Sequence, residues 1–311
     1  MREMCLDQVY ELAKRDERVF FIGSDLGVNT LDNFKKEMPG RFFMEGISEQ
    51  HVVGMASGLA LEGKIVYVNT ISTFITRRCF EQVILDACLH NLKVRLIGNG
   101  GGLVYAPLGP THLAIEDISI MRAIPNMTVV APADADEMKR FVPQTADYPG
   151  PIYIRLAKGY DPIVTNDQVP FRIGKALPMR EGRDALLVTT GITLKLAQDA
   201  AKELAAQGVE CAILHMPTIK PLDTEALLGR AAVVPVIVSV EENTVIGGLG
   251  GAIAETVAEA NFNTVKRFRR LGIPDVFAKH YGTQAQLMEH YRISTAEIIA
   301  TVKHLRALRV N

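Results

Sequence analysis

The sequence predicts an α/β protein built from two doubly wound domains, and three observations indicate this. Short apolar strand segments alternate with helical segments, which is typical of a parallel sheet covered by helices on both faces. Residues 157–180 are instead rich in Pro, Gly and charge and lack periodicity. A second alternating series starts at residue 185. We therefore predict a first domain at residues 1–160, a linker at 161–182 and a second domain at 183–311.

Length and composition fit this division and exclude several classes of protein. The 311 residues suffice for two domains of ordinary size, and 48% are hydrophobic while 22% are charged. A formal net charge of −1 gives no indication of a nucleic-acid or membrane surface. No segment has the pattern of a signal peptide or a membrane span, so we expect a cytoplasmic protein. The four cysteines form no Cys-x-x-Cys pair and are expected to be reduced core residues.

Apolar runs mark the strands of the first domain, after a helix predicted at residues 3–15. Asp25 lies just past the first strand, at the edge where ligands of parallel sheets gather, although it could equally close a turn. Asp134 follows the fourth strand and is expected to cap the next helix. The strands are predicted at residues 19–23, 65–68, 94–98, 127–131 and 152–155.

The second domain shows the same alternation. We predict strands at residues 185–191, 211–215 and 235–240 and a helix at 193–207. A glycine-rich run at residues 247–251 follows the last of these strands. We expect its glycines to serve turns and helix packing rather than cofactor binding.

The stretch at residues 44–61 organises the first domain. It turns at Gly46 and continues into a helix rich in Gly, Ala and Val. Because glycine is a poor helix former, we expect close packing to justify it and the helix to be buried. Glu49 lies at the start of this helix, where a carboxylate either simply favours the positive end or occupies a tuned site with a specific partner.

Another glycine run, at residues 100–102, follows the strand at 94–98. It could cradle a phosphate, but it lacks the Lys-Ser/Thr of a P-loop and the spacing of a dinucleotide-binding fingerprint. We expect a flexible loop around a buried ligand.

Three motifs occur in order along the first domain. They are Gly-Ile-Ser-Glu-Gln-His at 46–51, Ser-Thr-Phe-x-x-Arg from Ser72, and Gly-Pro-Thr-His at 109–112 with Ile-Glu-Asp at 115–117. Together they resemble the transketolase family of thiamine-diphosphate enzymes, and the resemblance extends from about residue 25 to the C-terminus. The second domain likewise resembles the C-terminal domain of transketolases and the related 2-oxo-acid dehydrogenase beta subunits. The resemblance implies a transferase that moves a two-carbon ketol unit between sugar phosphates.

The resemblance implies roles for three residues at the centre of the site. Glu49 matches the carboxyl group that hydrogen-bonds ring nitrogen N1′ of the cofactor and favours its imino tautomer. Phe74 would stack on the pyrimidine ring. His112 matches a histidine near the thiazolium and the donor carbonyl, suited to proton transfer or oxyanion stabilisation.

The resemblance implies four further site residues. Asp25 would lie near the cofactor and substrate, and Phe80 would either complete the cofactor pocket or be a plain core residue. Arg77 and Arg78 compete for the family's single arginine, because this helix start carries one extra residue; we assign Arg77 to the cofactor. Arg155 matches an arginine that binds the substrate's phosphate.

Departures from the family pattern are equally informative. Leu108 stands where many relatives place an Asp that reads a donor hydroxyl, and Gly100 where microbial transketolases place a further His. The Gly-Asp-Gly that holds Mg²⁺ and the diphosphate is absent from the chain. We therefore expect a half-enzyme, whose N-terminal transketolase partner subunit supplies the diphosphate and Mg²⁺ site. Self-association would then give a heterotetramer.

Two other interpretations remain open. One is the beta subunit of a 2-oxo-acid dehydrogenase or a 1-deoxyxylulose-5-phosphate synthase-like enzyme. The motif at residues 109–117 favours transketolase over the dehydrogenases. The other is a non-catalytic scaffold or regulatory partner, against which the retention of Glu49, Phe74 and His112 argues.

Overall fold

The computed structural model describes residues 1–23, 31–157, 161–166 and 170–308. Within them the chain forms two β-sheets, each covered by helices on both faces, so the predicted fold of two α/β domains is confirmed. Asp25 lies outside the described residues. No helix in the described ranges is long and apolar enough to span a bilayer.

The first sheet is parallel except at one edge. The first-domain strands run in one direction, and their carboxyl ends meet at the edge where the candidate site residues lie. One short strand from the second half of the chain pairs antiparallel with β5. From edge to edge the strands are β10 (Thr218–Lys220), β5 (Thr128–Val130), β6 (Ile152–Leu156), β4 (Val94–Asn99), β3 (Ile65–Ile71), β1 (Val19–Gly23) and β2 (Phe42–Met44).

The second sheet has five strands and also one antiparallel edge. In order they are β12 (Arg267–Ile273), β11 (Val236–Thr244), β8 (Ala185–Thr189), β9 (Cys211–His215) and β7 (Leu177–Arg180). The antiparallel strand β7 lies within the range predicted as a linker. Strand β11 is longer than predicted, so Glu241, Glu242 and Asn243 belong to the strand itself.

Helices of the first domain cover both faces of its sheet. One face carries α1 and α6, and the other carries α3, α5 and the segment around α4. As predicted, the Asp134 carboxylate caps α6 by accepting the N–H of Glu137 at 2.8 Å. The helices are α1 (Arg2–Arg15), α2 (Asp32–Glu37), α3 (Glu49–Leu61), α4 (Phe80–Gln82), α5 (Asp117–Ala123) and α6 (Ala135–Thr145), with 3₁₀ turns at Pro39–Arg41 and Ala106–Leu108 and π-helical segments at Phe74–Arg78 and Val83–Cys88.

In the second domain, α7 and α11 cover one face of the sheet and α8 and α9 the other. The Glu241 carboxylate accepts the N–H groups of Leu249 and Gly250 at the start of α9. A Cβ on Gly250 would lie 2.7 Å from Ser239 Oγ, so this glycine permits close packing, as predicted. The helices are α7 (Thr193–Ala205), α8 (Thr224–Ala232), α9 (Leu249–Glu259), α10 (Gln284–His290) and α11 (Thr295–Ala307).

The two domains share a hydrophobic core. Leu103, Ala106 and Leu113 come from the first domain but belong to the cluster between the second sheet and helices α7 and α11. Conversely, strand β10 follows the first strands of the second sheet in sequence but pairs with β5 of the first sheet. The four cysteines are all buried, free thiols, as expected for core residues.

Candidate active site

Glu49 is the first residue of α3, and its carboxylate is nearly sealed from solvent. Gly46, with φ +66°, turns the chain between β2 and the helix. The Glu49 side chain is 2% exposed. Its Oε2 accepts a hydrogen bond from Arg78 Nη1 at 2.7 Å, and its Oε1 accepts one from Thr70 Oγ1 at 3.4 Å. This carboxylate therefore has a specific cationic partner as well as its place at the helix start.

One face of α3 is packed and the other is open, which differs from the expectation that the helix is buried. Val53 and Ala56 lie fully in the core. Gly58 is exposed, and within the described ranges no heavy atom beyond its chain neighbours and its own helix backbone lies within 4 Å of the place a Cβ would take. Leu61, at the end of the helix, is 63% exposed. The small residue at position 58 is therefore not required by packing inside this chain.

The segment after β3 begins with a π-helical turn at Phe74–Arg78. A π-helix bonds residue i to residue i+5, so it takes in one residue more than an α-helical turn. This is where the sequence carries one residue more than the family motif. Such turns are frequent at functional sites, and this one determines which arginine approaches the carboxylate.

The structure brings Arg78 to Glu49 and Phe74, whereas Arg77 lies against the loop that carries His112 and donates to the carbonyls of Thr111 and Leu113 at 3.5 Å. The Arg78 guanidinium carbon lies 3.9 Å from the ring centroid of Phe74, while its Nη1 donates to Glu49. The Nε of Arg77 instead pairs with Glu116 Oε1 at 3.0 Å. Arg78 is therefore the arginine that contacts both Glu49 and Phe74, and Arg77, one residue earlier in the π-turn, is directed towards Glu116 and the loop of His112.

The Arg78 guanidinium occupies the space between Glu49 and Phe74. It is flat, carries N–H donors, stacks on the phenyl ring and donates to the carboxylate. These are the two contacts that an aminopyrimidine ring would make. The Arg78 side chain is 41% exposed, so it can move towards solvent. The Glu49 carboxylate and the Phe74 ring thus together contact one flat group that carries N–H donors.

His112 faces the same phenyl ring from the other side of the site. Its ring centroid lies 5.3 Å from that of Phe74, edge-on, and 6.4 Å from that of Tyr105. Its Nδ1 lies 2.9 Å from Thr111 Oγ1, and its backbone carbonyl accepts the hydroxyl of Thr73 at 3.0 Å. These contacts fix the ring through Nδ1, so Nε2 is the nitrogen that can face a ligand.

A cavity of about 340 Å³ lies at the carboxyl end of β4. Asn99 connects it to the carboxylate, since its Nδ2 donates to the carbonyl of Thr70, whose hydroxyl reaches Glu49. Within the described ranges, Asn99 Oδ1 is buried without a hydrogen-bond partner and is an acceptor that a ligand could satisfy. The lining residues are Arg2, Asn99, Gly100, Val104, Tyr105, Pro107, Leu108 and Ala157.

Both departures from the family pattern lie on this cavity. Gly100 has φ +70°, and a Cβ there would come 2.1 Å from Tyr105 Cε2, so a histidine at this position would displace the tyrosine ring. Leu108 is 50% exposed and offers no hydrogen bond to a hydroxyl. Burial raises the pKa of Tyr105, against the opposing charge of Arg2. Sequence reasoning missed Arg2 and Tyr105, because neither belongs to a recognised motif.

Arg155 lies in a sealed ionic cluster outside this cavity. Its Nε donates to Asp117 Oδ2 at 2.8 Å, and its Nη2 donates to the carbonyl of Glu242 at 2.7 Å. The Arg155 and Asp117 side chains are 7% and 0% exposed. Burial alone would lower the pKa of Arg155, but the charges of Asp117 and Glu242 outweigh it and raise that pKa. The phosphate-binding role predicted for Arg155 does not fit this position, because a phosphate would have to displace a buried carboxylate.

The remaining predictions concern Phe80 and the glycine run. Phe80 is partly buried and packs against the core between the first sheet and α3. The run at residues 100–102 is not a flexible loop but is tied down: Gly101 N–H donates to the carbonyl of Leu156 at 2.8 Å, and Gly102 exchanges two backbone hydrogen bonds with Ala114.

The family models for "Transketolase, pyrimidine binding domain" and "Transketolase, C-terminal domain" match residues 1–160 and 174–298. The chain belongs to the transketolase family. Glu49, Phe74 and His112 lie in the range that matches the pyrimidine-binding domain, where Phe74 contacts both His112 and the Arg78 side chain that pairs with Glu49.

Curated relatives cover the chain almost completely. It is 36% identical over 300 residues to the 6-deoxy-6-sulfo-D-fructose transketolase subunit SqwH of Clostridium sp. strain MSTE9, covering 96% of this chain and 92% of the relative. It is 35% identical over 302 residues to an apulose-4-phosphate transketolase subunit of Phocaeicola vulgatus, covering 96% and 95%. A 1-deoxy-D-xylulose-5-phosphate synthase of Geobacter sulfurreducens is 36% identical over 97% of this chain but only 47% of its own length.

A solved structure has the same fold. The chain described as "Split gene transketolase, inactive beta4 tetramer" superposes with a TM-score of 0.90 and 34% identity, covering 99% of both chains. Transketolases depend on thiamine diphosphate. Within the described ranges, no group of three His, Cys, Asp or Glu side chains is placed to hold a metal ion.

Proposed function

We propose that this chain is the C-terminal subunit of a thiamine-diphosphate-dependent transketolase-like enzyme. It would move a two-carbon ketol unit between sugar phosphates in the cytoplasm, and only when assembled with a diphosphate-binding partner subunit. The observation that carries the proposal is the pair of contacts made by Glu49 and Phe74 with the flat group between them. Two relatives that cover this chain almost completely are named as transketolase subunits, which supports the split organisation.

Glu49 and Phe74 would hold the pyrimidine half of the cofactor. When bound, thiamine diphosphate would supply a carbon nucleophile. Glu49 would hydrogen-bond ring nitrogen N1′ and favour the imino tautomer of the aminopyrimidine, and Phe74 would stack on the ring. Arg78 would have to leave both partners, and its half-exposed side chain allows this.

His112 would act on the substrate. Its Nδ1 contact with Thr111 fixes the ring and directs Nε2 towards the space beside Phe74. From there it could donate a hydrogen bond to the carbonyl oxygen of the donor or move a proton at the adjacent hydroxyl.

We propose Arg2 as the residue that binds the substrate's phosphate, in place of Arg155. Arg2 lines the cavity beside Tyr105 and Asn99 and is exposed, so its guanidinium can meet an anion without displacing a carboxylate. Leu108 lines the same cavity, and an apolar side chain there favours a donor without a hydroxyl group at that point.

The partner would bring Mg²⁺ and the groups that bind the diphosphate. The sequence has no Gly-Asp-Gly, and the described residues hold no candidate metal cluster. Mg²⁺ needs oxygen ligands in a near-octahedral arrangement, and they would therefore come from the partner.

The open face of α3 and the helical segment beyond it would dock other subunits in an α₂β₂ heterotetramer. Exposed large apolar side chains next to the small Gly58 are typical of an interface. Those side chains are Ile47, Leu61, Leu85 and Leu89, with exposures of 71%, 63%, 45% and 69%. The similar solved chain is described as an inactive tetramer of beta chains, and we expect this chain alone to self-associate in the same way without activity.

A second candidate function is a 1-deoxyxylulose-5-phosphate synthase-like reaction. The synthase of Geobacter sulfurreducens matches nearly the whole of this chain at the same identity as the transketolase subunit SqwH. The two functions differ in the donor, which is a 2-oxo acid for the synthase and a ketose phosphate for transketolase.

The test is to purify the tagged chain together with its natural partner and to supply both donors. We expect a co-purifying protein with Gly-Asp-Gly, and ketol transfer from a ketose phosphate to an aldose phosphate in the presence of Mg²⁺ and thiamine diphosphate. Condensation of pyruvate with glyceraldehyde 3-phosphate would favour the second candidate. A partner without a diphosphate site and a complex inactive on both donors would contradict both.

A further inference from the structure

The loop that carries His112 and Tyr105 is a closed unit. It runs from the end of β4 to the start of α5. Two backbone hydrogen bonds between Gly102 and Ala114, of 2.9 and 3.1 Å, join its two ends. A loop closed in this way moves largely as one body. The position of the His112 ring therefore depends on the surface on which the loop rests.

That surface belongs to the second domain. Leu103, Ala106 and Leu113 are each at most 1% exposed and lie in the core cluster of the second sheet. On the outer side, Tyr281 contacts the loop so closely that a Cβ on Gly109 would lie 2.5 Å from its ring. The apolar side chains of a first-domain loop are thus buried by the second domain.

One polar contact fixes the register of the loop on this surface. The Oε1 of Glu242, on β11, accepts the N–H of Leu103 at 2.8 Å and a hydrogen bond from Gln284 Nε2, also at 2.8 Å. Gly102 has φ +69°, and a Cβ there would lie 2.5 Å from the Glu242 carboxyl carbon. The glycine run therefore permits a close approach between the loop backbone and this carboxylate.

We propose that Glu242 is a positioning residue, by which the second domain holds the loop so that His112 stays beside Phe74. The inference rests on the proposed function of His112. Apolar contacts alone allow small sliding, whereas a buried N–H group needs its acceptor at one place. A displacement of about 1 Å at a catalytic group can cost roughly a hundredfold in rate.

Glu241 provides a matched comparison, because it is the neighbouring residue on the same strand and is also fully buried. Its carboxylate accepts the N–H groups of Leu249 and Gly250 at 2.7 and 2.8 Å, within the second domain. Both glutamates are thus buried acceptors of backbone N–H groups, but only Glu242 reaches the loop of the first domain.

The experiment compares Glu242→Met, which has similar volume and no oxygen acceptor, with Glu241→Met and Glu242→Gln. Hydrogen exchange is measured first on each chain alone. We expect amides at residues 103–112 to exchange about tenfold faster or more in Glu242→Met. In Glu241→Met the faster exchange should occur at residues 249–251, and in Glu242→Gln the loop should stay close to wild type, because the amide retains one acceptor oxygen.

Kinetics of the assembled enzyme give the second readout. We expect kcat to fall about 10–100-fold in Glu242→Met with little change in KM, and Gln at this position to restore most of it. Equal kcat losses in Glu241→Met and Glu242→Met, or unchanged loop exchange in Glu242→Met, would overturn the proposal. The exchange result does not depend on the assigned reaction, so failure of the proposed function is recognised separately.

A milder variant covers the case in which Glu242→Met does not fold. Gln284→Ala removes the second donor to the same carboxylate oxygen and leaves Glu242 in place. We expect a few-fold faster exchange at residues 103–112 in that variant. Exchange equal to wild type there would contradict the anchoring role.

Discussion

Two arginine–carboxylate pairs of nearly equal length lie in the first domain, and they differ in access to solvent. Arg78 pairs with Glu49 at 2.7 Å, and Arg155 pairs with Asp117 at 2.8 Å. Both carboxylates are buried. The Arg78 side chain is 41% exposed, whereas that of Arg155 is 7% exposed and also donates to the carbonyl of Glu242.

The difference distinguishes an ion pair whose cation a ligand can replace from an ion pair that stabilises the fold. A cation that can move into water can be replaced by a ligand, and Glu49 then exchanges one partner for another. A cation sealed between two domains cannot leave without exposing Asp117 to an apolar surrounding, which is strongly unfavourable. Recognition of an arginine by its motif position alone does not distinguish these two cases.

The largest expected effect is on turnover, and it follows from changing Glu49, the carboxylate of the pair whose arginine is exposed. Glu49→Gln should lower ketol-transfer turnover of the assembled enzyme about 10²–10³-fold or more, because an amide cannot support the imino tautomer of the pyrimidine. The chain should still fold and assemble, as judged by circular dichroism and gel filtration. Glu116→Gln, which breaks the Arg77 pair outside the site, is the control and should retain near-normal turnover. Near-normal rates in Glu49→Gln would contradict the assignment.

Breaking the buried pair of Arg155 and Asp117 should lower the stability of the fold. Arg155→Met leaves the Asp117 carboxylate buried without its cation, so we expect the free energy of unfolding to fall by about 3–5 kcal/mol. Arg78→Met should cost about 1–2 kcal/mol, because water can reach Glu49 once the exposed arginine is gone. Urea unfolding of both variants measures the two losses. Equal losses would remove the distinction between the pairs.

Glu241 is a buried carboxylate that forms no ion pair with a guanidinium among the described residues, and its pH dependence sharpens the comparison. Burial raises its pKa from 4.5 to about 7, against the opposing hydrogen bonds from Gly250 and Leu249 and the charges of Arg155 and Arg270. Between pH 4.5 and 7 the folded state then binds more protons than the unfolded state. Its contribution to stability is present in full below pH 4.5 and is lost as the pH rises through 7, on the order of 3 kcal/mol in total.

The measurement is the unfolding free energy of wild type minus that of Glu241→Gln, followed from pH 4.5 to 8. This difference should decrease with rising pH and level off above pH 7. Glu259→Gln changes an exposed residue on α9 and should give a flat difference. A flat difference for Glu241→Gln as well would mean that the pKa of this carboxyl group is not raised in the folded chain.

The last of these effects concerns the cavity. Arg2→Ala should raise KM for phosphorylated substrates about 10–100-fold and leave KM for unphosphorylated ones nearly unchanged, because a charge-assisted contact is lost. Arg155→Met, by comparison, should affect both substrate classes alike through the fold. Steady-state kinetics with each substrate pair distinguishes the two arginines. A selective effect of Arg155→Met would restore its phosphate-binding role.

Much of the fold was predictable because local patterns and tertiary structure agree. Buried parallel strands appear in the sequence as continuous apolar runs. The cap of α6 was predictable because an Asp directly precedes the helix. Strand β7 was missed because edge strands need little apolar periodicity, and Pro178 within it weakens the signal. Strand β10 joins a distant sheet, which no local pattern can reveal.

The candidate site was predictable only in part. The motifs were sufficient to select Glu49, Phe74 and His112 as candidate site residues. The choice between Arg77 and Arg78 depended on a π-helical turn, which the spacing of the motif alone does not reveal. The environment of Arg155 depends on Glu242, which lies 87 residues further along the chain. Such long-range burial decides whether a charged side chain faces a ligand or a counter-ion.

The proposal that this chain is a half-enzyme is tested most directly by calorimetry. Mg²⁺ and thiamine diphosphate are titrated into the chain alone and into its complex with the partner. We predict no tight binding and no ketol transfer by the chain alone, because it offers a carboxylate and an aromatic face for the pyrimidine, but its sequence has no Gly-Asp-Gly and its described residues form no cluster of metal ligands. Addition of the partner should restore both, and Glu49→Gln should weaken binding in the complex. Tight binding and ketol transfer by the isolated chain would contradict the account.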